Sequence, residues 1–170
     1  MESADVPLPG LGRKGLLRRP EDGTPVRGGV VALHGASDPA RRQPLFDHLA
    51  ETVTPLGFAL LSYDRRASES GDVPLRLQAD DALAAAGGLA DSLGAPVGLY
   101  AFSQGAWAAC LAAADPGGPS FLALVGCSGV SPGVQMRYYT DQRLLRAGYD
   151  EDARRRQLDL RVGRQHRELR

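Results

Sequence analysis

Four short, uninterrupted apolar runs, at residues 30–33, 58–61, 97–102 and 121–125, constrain this chain more than any other feature. A run of four to six apolar residues without polar alternation is the pattern of a strand covered on both faces, as in a parallel sheet. Helical patterns lie between the runs. Leu45, Leu49 and Val53 recur at every fourth position with Phe46 and Ala50 beside them, and Thr54-Pro55-Leu56-Gly57 ends the period. Ala79, Ala82, Leu83, Ala86, Leu89 and Leu93 form a second stripe, weakened by Gly87-Gly88. Residues 106–114 are almost all small and apolar and stop at Asp115-Pro116-Gly117-Gly118-Pro119. The runs start 28, 39 and 24 residues apart, room each time for a crossover helix. The expectation is a three-layer α/β fold, a mostly parallel sheet with helices on both faces and right-handed crossovers. The unequal intervals exclude a repeat array.

A chain of 170 residues with 43% apolar content has material for one core. Residues 1–14, acidic and then rich in Pro and Gly, are expected to be poorly ordered. Residues 15–130 are expected to form the α/β core, with a weak extra strand at 15–19 that turns at Glu21-Asp22-Gly23. Residues 131–170 form a helical, cap-like segment: one helix over 135–147 stopped by Gly148, and a second starting near Asp150 or Asp152. Basic and acidic residues balance at 20 each, so no global field draws the chain to nucleic acid or an anionic membrane. The seven arginines of 154–170 read as a solvated helical face. No signal peptide pattern or apolar span is present, and a cytoplasmic protein is expected. Cys110 and Cys127 lack metal-ligand spacing and suit a reducing compartment; each is read as a small buried hydrophobe. No metal and no cofactor is expected.

The stretch most able to carry chemistry is Gly98-Leu99-Tyr100-Ala101-Phe102-Ser103-Gln104-Gly105-Ala106, a buried strand running into a small-residue helix. A serine at such a turn can be held strained with its hydroxyl exposed, while the next backbone N–H and the helix N-terminus face developing negative charge. Ser103 is that serine. Gly105 and Ala101 provide the small neighbours a tight strand-to-helix turn needs. A second element, Val31-Ala32-Leu33-His34-Gly35-Ala36, ends a strand in a His-Gly turn that can aim the Ala36 N–H beside that of Gln104. Two such donors make an oxyanion hole, worth about 2.7 to 4 kcal/mol of transition-state stabilisation per donor. His34, at the strand end and before the nucleophile, reads as structural, supporting the turn together with Gly35.

These residues together resemble the α/β-hydrolase superfamily. The resemblance covers about residues 15–147 and rests on three features in order: Leu33-His34-Gly35-Ala36, Tyr63-Asp64-Arg65-Arg66 with Ser68 and Ser70, and Ala101-Phe102-Ser103-Gln104-Gly105. Ala101 stands where the family usually has glycine, as do Ala67 and Glu69. The segment Gly126-Cys127-Ser128-Gly129-Val130-Ser131-Pro132 and the helix ending at Gly148 look like the exit from a sixth strand and the start of a cap. The resemblance implies acyl transfer on an ester, thioester or amide, with a small-molecule acyl substrate and Ser103 as nucleophile.

The family order is serine, then acid, then histidine. His166 is the one histidine after Ser103. Residues 158–162 alternate like a short strand, so Asp150 or Asp152 with His166 could supply an acid and a base. The main expectation is instead a fold incomplete at its C-terminal edge, lacking that pair, with weak or no turnover. The run at 121–125 would then be a bare apolar edge able to self-associate. The rival reading is a non-catalytic, ligand-binding or dimerising α/β module. A flavodoxin-like or nucleotide-binding domain ranks below both, because neither Gly-x-Gly-x-x-Gly nor a Gly-Lys-Ser/Thr loop is present.

Overall fold

The computed structural model describes residues 1–36, 40–66 and 73–168, the last nine of these and Pro9 by backbone only. Two compact units divide the chain, Met1–Cys127 and Ser128–Arg170. In the first, the strands are β1 (Glu2–Leu8), β2 (Arg13–Arg19), β3 (Gly28–Leu33), β4 (Phe58–Tyr63), β5 (Val97–Phe102) and β6 (Leu122–Val125). The helices are α1 (Pro44–Val53), α2 (Leu75–Leu93) and α3 (Gln104–Ala113). The sheet order is β1-β2-β4-β3-β5-β6, with β4, β3, β5 and β6 parallel and β1 and β2 antiparallel at one side.

Strand register sorts the side chains into two layers. Leu17, Leu61, Val31 and Leu99 form one cross-strand row and pack with Ala79, Ala82, Leu89, Ala106 and Ala109 of α2 and α3. One residue along, Arg18, Leu60, Val30 and Gly98 form the next row, on the opposite face, where Val30 and Leu60 pack with Phe46 and Ala50 of α1. Both faces of β3 and β4 are therefore covered, which is why their sequences do not alternate. The alanines of α2 and α3 let these helices approach the sheet closely. Phe46 is fully buried and anchors the thinner layer. Arg18, also buried, donates to Ser62 Oγ at 3.1 Å and pairs with Asp47 of α1.

Several expectations need correction. The N-terminal residues expected to be poorly ordered instead form β1, whose seven residues pair in antiparallel register with all of β2. Backbone hydrogen bonding to an available edge does not require an apolar pattern, so composition alone missed it. The fourth apolar run is not covered on both faces. Among the described residues β6 pairs with β5 only, and Phe121, Leu124 and Val125 are exposed. Cys110 and Cys127 are both exposed rather than buried.

In the second unit, α4 (Pro132–Arg146) begins at Ser131, whose Oγ accepts from the Val134 N–H, and gives way to Gly148 at φ +84°. The alternation at 158–162 belongs to α5 (Glu151–Glu168), not to a strand. Asp150 Oδ1 accepts the Ala153 N–H at 2.7 Å, and acids in the first turn favour the helix dipole, so the local start signal overrides a five-residue alternation. Arg154 faces Asp141 at 3.5 Å and Arg137 faces Asp159 at 3.8 Å, linking α5 to α4.

Candidate active site

Parallel β3, β4 and β5 deliver their C-terminal ends to one edge of the sheet, where ligands of open α/β folds bind. Ser103 stands at the end of β5, immediately before α3. Its backbone is at φ +51°, ψ −114°, and among the described residues it is the one non-glycine with positive φ. Holding a side-chain-bearing residue there costs about 1–3 kcal/mol, so the surroundings must fix it. They do. The Ser103 N–H donates to the Val125 carbonyl at 2.8 Å, and its own carbonyl accepts from the Ala106 N–H at 3.0 Å. The residue itself is exposed. A strained, exposed hydroxyl at a helix N-terminus is the arrangement that presents a nucleophile to a substrate from above.

Two glycines let the neighbouring turn close on this elbow. A Cβ on Gly105 would lie 2.6 Å from the His34 carbonyl oxygen, and one on Gly35 would lie 3.0 Å from the Phe102 ring and 3.6 Å from Ser103 Cβ. The β3 turn and the head of α3 are thus in backbone contact. Ala36, the expected second oxyanion donor, is exposed beside them. His34 is buried. Its Nε2 lies 3.1 Å from the Ala40 carbonyl oxygen, an acceptor only, so this nitrogen carries the proton; its ring stands edge-on to Phe46 and Tyr63.

Arg65, noted above only as part of the Tyr63-Asp64-Arg65-Arg66 segment, joins the parts. One guanidinium donates to the Gly35 carbonyl at 2.8 Å, the Gln104 Oε1 at 3.0 Å and the Ala36 carbonyl at 3.1 Å. It therefore pins the β3 turn to the first residue of α3. Its neighbour Arg66 turns the other way, onto the buried carboxylate of Asp81 at 2.6 Å, which also accepts from Arg13 at 2.8 Å. Asp64 accepts from both the N–H and the guanidinium of Arg41, fixing the start of the segment before α1. Tyr63, Arg65, Gln78 and Asp81 border a void of about 10 Å³ beneath the elbow, too small for a substrate. Burial, and next the nearby Asp81 charge, push the Tyr63 phenol well above its ordinary value, so it stays neutral.

Among the described residues no imidazole or carboxylate hydrogen-bonds the Ser103 hydroxyl. Asp150 and Asp152 lie in the second unit, Asp150 as the cap of α5; Ser37, Ala67, Ser68, Glu69, Ser70 and the His166 side chain lie outside the described residues. No group of three or more potential metal ligands occurs among the described residues, and no described helix is long and apolar enough to cross a membrane.

A mostly parallel three-layer sheet whose central strand ends in a strained serine elbow defines a class of α/β protein. The chain has the α/β-hydrolase fold. It is similar to a carboxyl esterase from Bacillus coagulans, with 21% identity and a TM-score of 0.59 over 86% of this chain and 51% of that one. A dienelactone hydrolase from Anabaena variabilis matches at 24% identity and TM-score 0.55, over 72% of this chain and 61% of the other. A lid-less α/β serine hydrolase from Xanthomonas campestris matches at 20% and 0.57, over 73% and 61%. This chain thus spans about half to three-fifths of the length of these structures. No family model and no curated protein matches its sequence.

Proposed function

We propose that this chain is a serine hydrolase acting on an ester, thioester or amide of a small-molecule acyl substrate. The observation that carries this reading is Ser103, exposed and held at positive φ between β5 and α3, with the Gly35 turn packed against it. Ser103 Oγ attacks the acyl carbonyl; the oxyanion forms against the N–H groups of Gln104 and Ala36; the alcohol, thiol or amine leaves with a proton, and water then releases the acyl group. The structural neighbours, which include a carboxyl esterase and a dienelactone hydrolase, support acyl chemistry. Among the described residues no base or acid is bonded to Ser103, and what they supply to turnover is the anion hole and binding. Comparable sites without their triad retain about 10³- to 10⁴-fold over water. A fluorophosphonate probe and a short-chain activated ester test this. The expectation is slow labelling and slow turnover, both abolished by Ser103→Ala; labelling unchanged in that variant refutes the assignment.

The exposed β6 edge favours a second reading, a non-catalytic module that binds a ligand above Ser103 and pairs through this edge with another copy. Phe121, Leu124 and Val125 are each more than a third exposed along it. Sedimentation of a stoichiometric dimer with an inert Ser103 supports that reading, and a reactive monomer excludes it.

A further inference from the structure

Gly35 solves a steric problem and creates a conformational one. A Cβ there would lie 3.0 Å from the Phe102 ring and 3.6 Å from Ser103 Cβ, so glycine lets the β3 turn close on the elbow. Glycine also leaves the Gly35–Ala36 peptide plane free to rotate. That plane carries the Gly35 carbonyl and the Ala36 N–H, and because the peptide is trans the two point in opposite directions. Half a turn of the plane would replace an anion-hole donor by a carbonyl oxygen, which repels the same charge.

Arg65 removes that freedom. Its Nη1, with two hydrogens to give, donates to the Gly35 carbonyl at 2.8 Å and to Gln104 Oε1 at 3.0 Å, while Nη2 donates to the Ala36 carbonyl at 3.1 Å. Two successive carbonyls of the turn are thus drawn to one rigid, planar cation. The Ala36 N–H must then project away from Arg65. We propose that Arg65 is a positioning residue for acyl transfer: by holding the Gly35 carbonyl it fixes the direction of the Ala36 N–H, and through Gln104 it sets that donor relative to the head of α3. This role rests on the serine hydrolase reading. Arg66, next in sequence, sends its guanidinium to Asp81 at 2.6 Å instead and is the natural comparison.

The test is the rate at which a fluorophosphonate labels the full chain over a range of probe concentrations. Ser103 Oγ bonds to phosphorus, fluoride leaves, the hydroxyl proton passes to water, and the phosphoryl oxygen takes the place of the oxyanion. Arg65→Met should lower the maximal rate about 10- to 100-fold and leave the half-saturating concentration within about threefold, because an anion-hole donor acts in the transition state. Arg66→Met removes a charge and an ion pair from the same segment and should label within about threefold of the parent. Arg65→Lys keeps the charge without the planar fork and should stay at least about threefold below the parent. The phosphorus NMR resonance of the adduct should move in Arg65→Met and not in Arg66→Met. Arg65→Lys carries the same readouts if Arg65→Met does not fold. Equal slowing in both methionine variants, or full recovery with lysine, assigns the effect to stability or charge and overturns the proposal. Labelling of Arg65→Met at the parent rate overturns it and leaves the hydrolase reading intact, whereas a parent in which Ser103 does not label removes that reading and this role with it.

Discussion

Gly105→Ala isolates the contact on which the elbow depends. The added Cβ would meet the His34 carbonyl oxygen at 2.6 Å, Leu33 Cβ at 3.1 Å and the Leu33 carbonyl carbon at 3.2 Å, where ordinary contact begins at 3.4 Å. The shortfall at the oxygen is 3.4 − 2.6 = 0.8 Å. No side-chain rotation relieves it, because the obstructing oxygen is backbone, at the end of a strand hydrogen-bonded on both sides. The head of α3 must move away from β3 instead. Overpacking of this kind costs about 1–3 kcal/mol, and the better helix propensity of alanine returns up to about 1 kcal/mol. The net expectation is about 1–2 kcal/mol of destabilisation, read as a lowered urea midpoint with an unchanged slope. Gly87→Ala is the control. It is the same substitution inside α2, on an exposed residue with nothing within 4 Å of the new carbon, and should stabilise by about 0.5–1 kcal/mol. The two variants should therefore shift the midpoint in opposite directions. Because a misplacement near 1 Å can cost about 10²-fold in rate, Gly105→Ala should also slow phosphonylation of Ser103 at least about tenfold, with Gly87→Ala unchanged. A Gly105→Ala protein as stable as Gly87→Ala would refute the steric argument.

Arg65→Met removes three hydrogen bonds from the β3 turn and Gln104; it should lower stability by about 1–2 kcal/mol and slow Ser103 labelling, with Arg65→Lys recovering part of both in the same probe and urea assays. Asp81→Asn takes the buried carboxylate from Arg13 and Arg66; as both arginines reach solvent, about 2–3 kcal/mol should be lost in chemical denaturation. Tyr63 holds its proton more tightly folded than unfolded, so its contribution is intact below the unfolded value near 10 and lost as pH rises through the folded one. Stability measured against pH should thus fall above about pH 10, less steeply in Tyr63→Phe than in the parent.

The parts legible in sequence were those carried by local pattern. The apolar runs became β3 to β6, the 3.6-residue stripes became α1 and α2, and the Ser103 segment formed a strand-to-helix turn. Arg65 was not legible because its three acceptors come from residues 29 to 39 positions away, and a surface arginine after a strand looks the same with or without them. Its one signal was its place in the Tyr63-Asp64-Arg65-Arg66 segment on which the family resemblance rests. Asp150, one of the two acid alternatives, satisfies a helix N-terminus, a use that short-range sequence expresses at least as strongly as catalysis.

By itself the sequence determined the periods, the order of strands and helices, and a serine flanked by small residues. These follow from backbone geometry and burial acting over a few neighbours. Tertiary structure alone decided that the acidic N-terminus joins the sheet, that a guanidinium pins the β3 turn to α3, and that Cys110 and Cys127 are exposed rather than in the core. Each of these depends on which chain ends the sheet brings together, and sheet order is set by contacts distant in sequence.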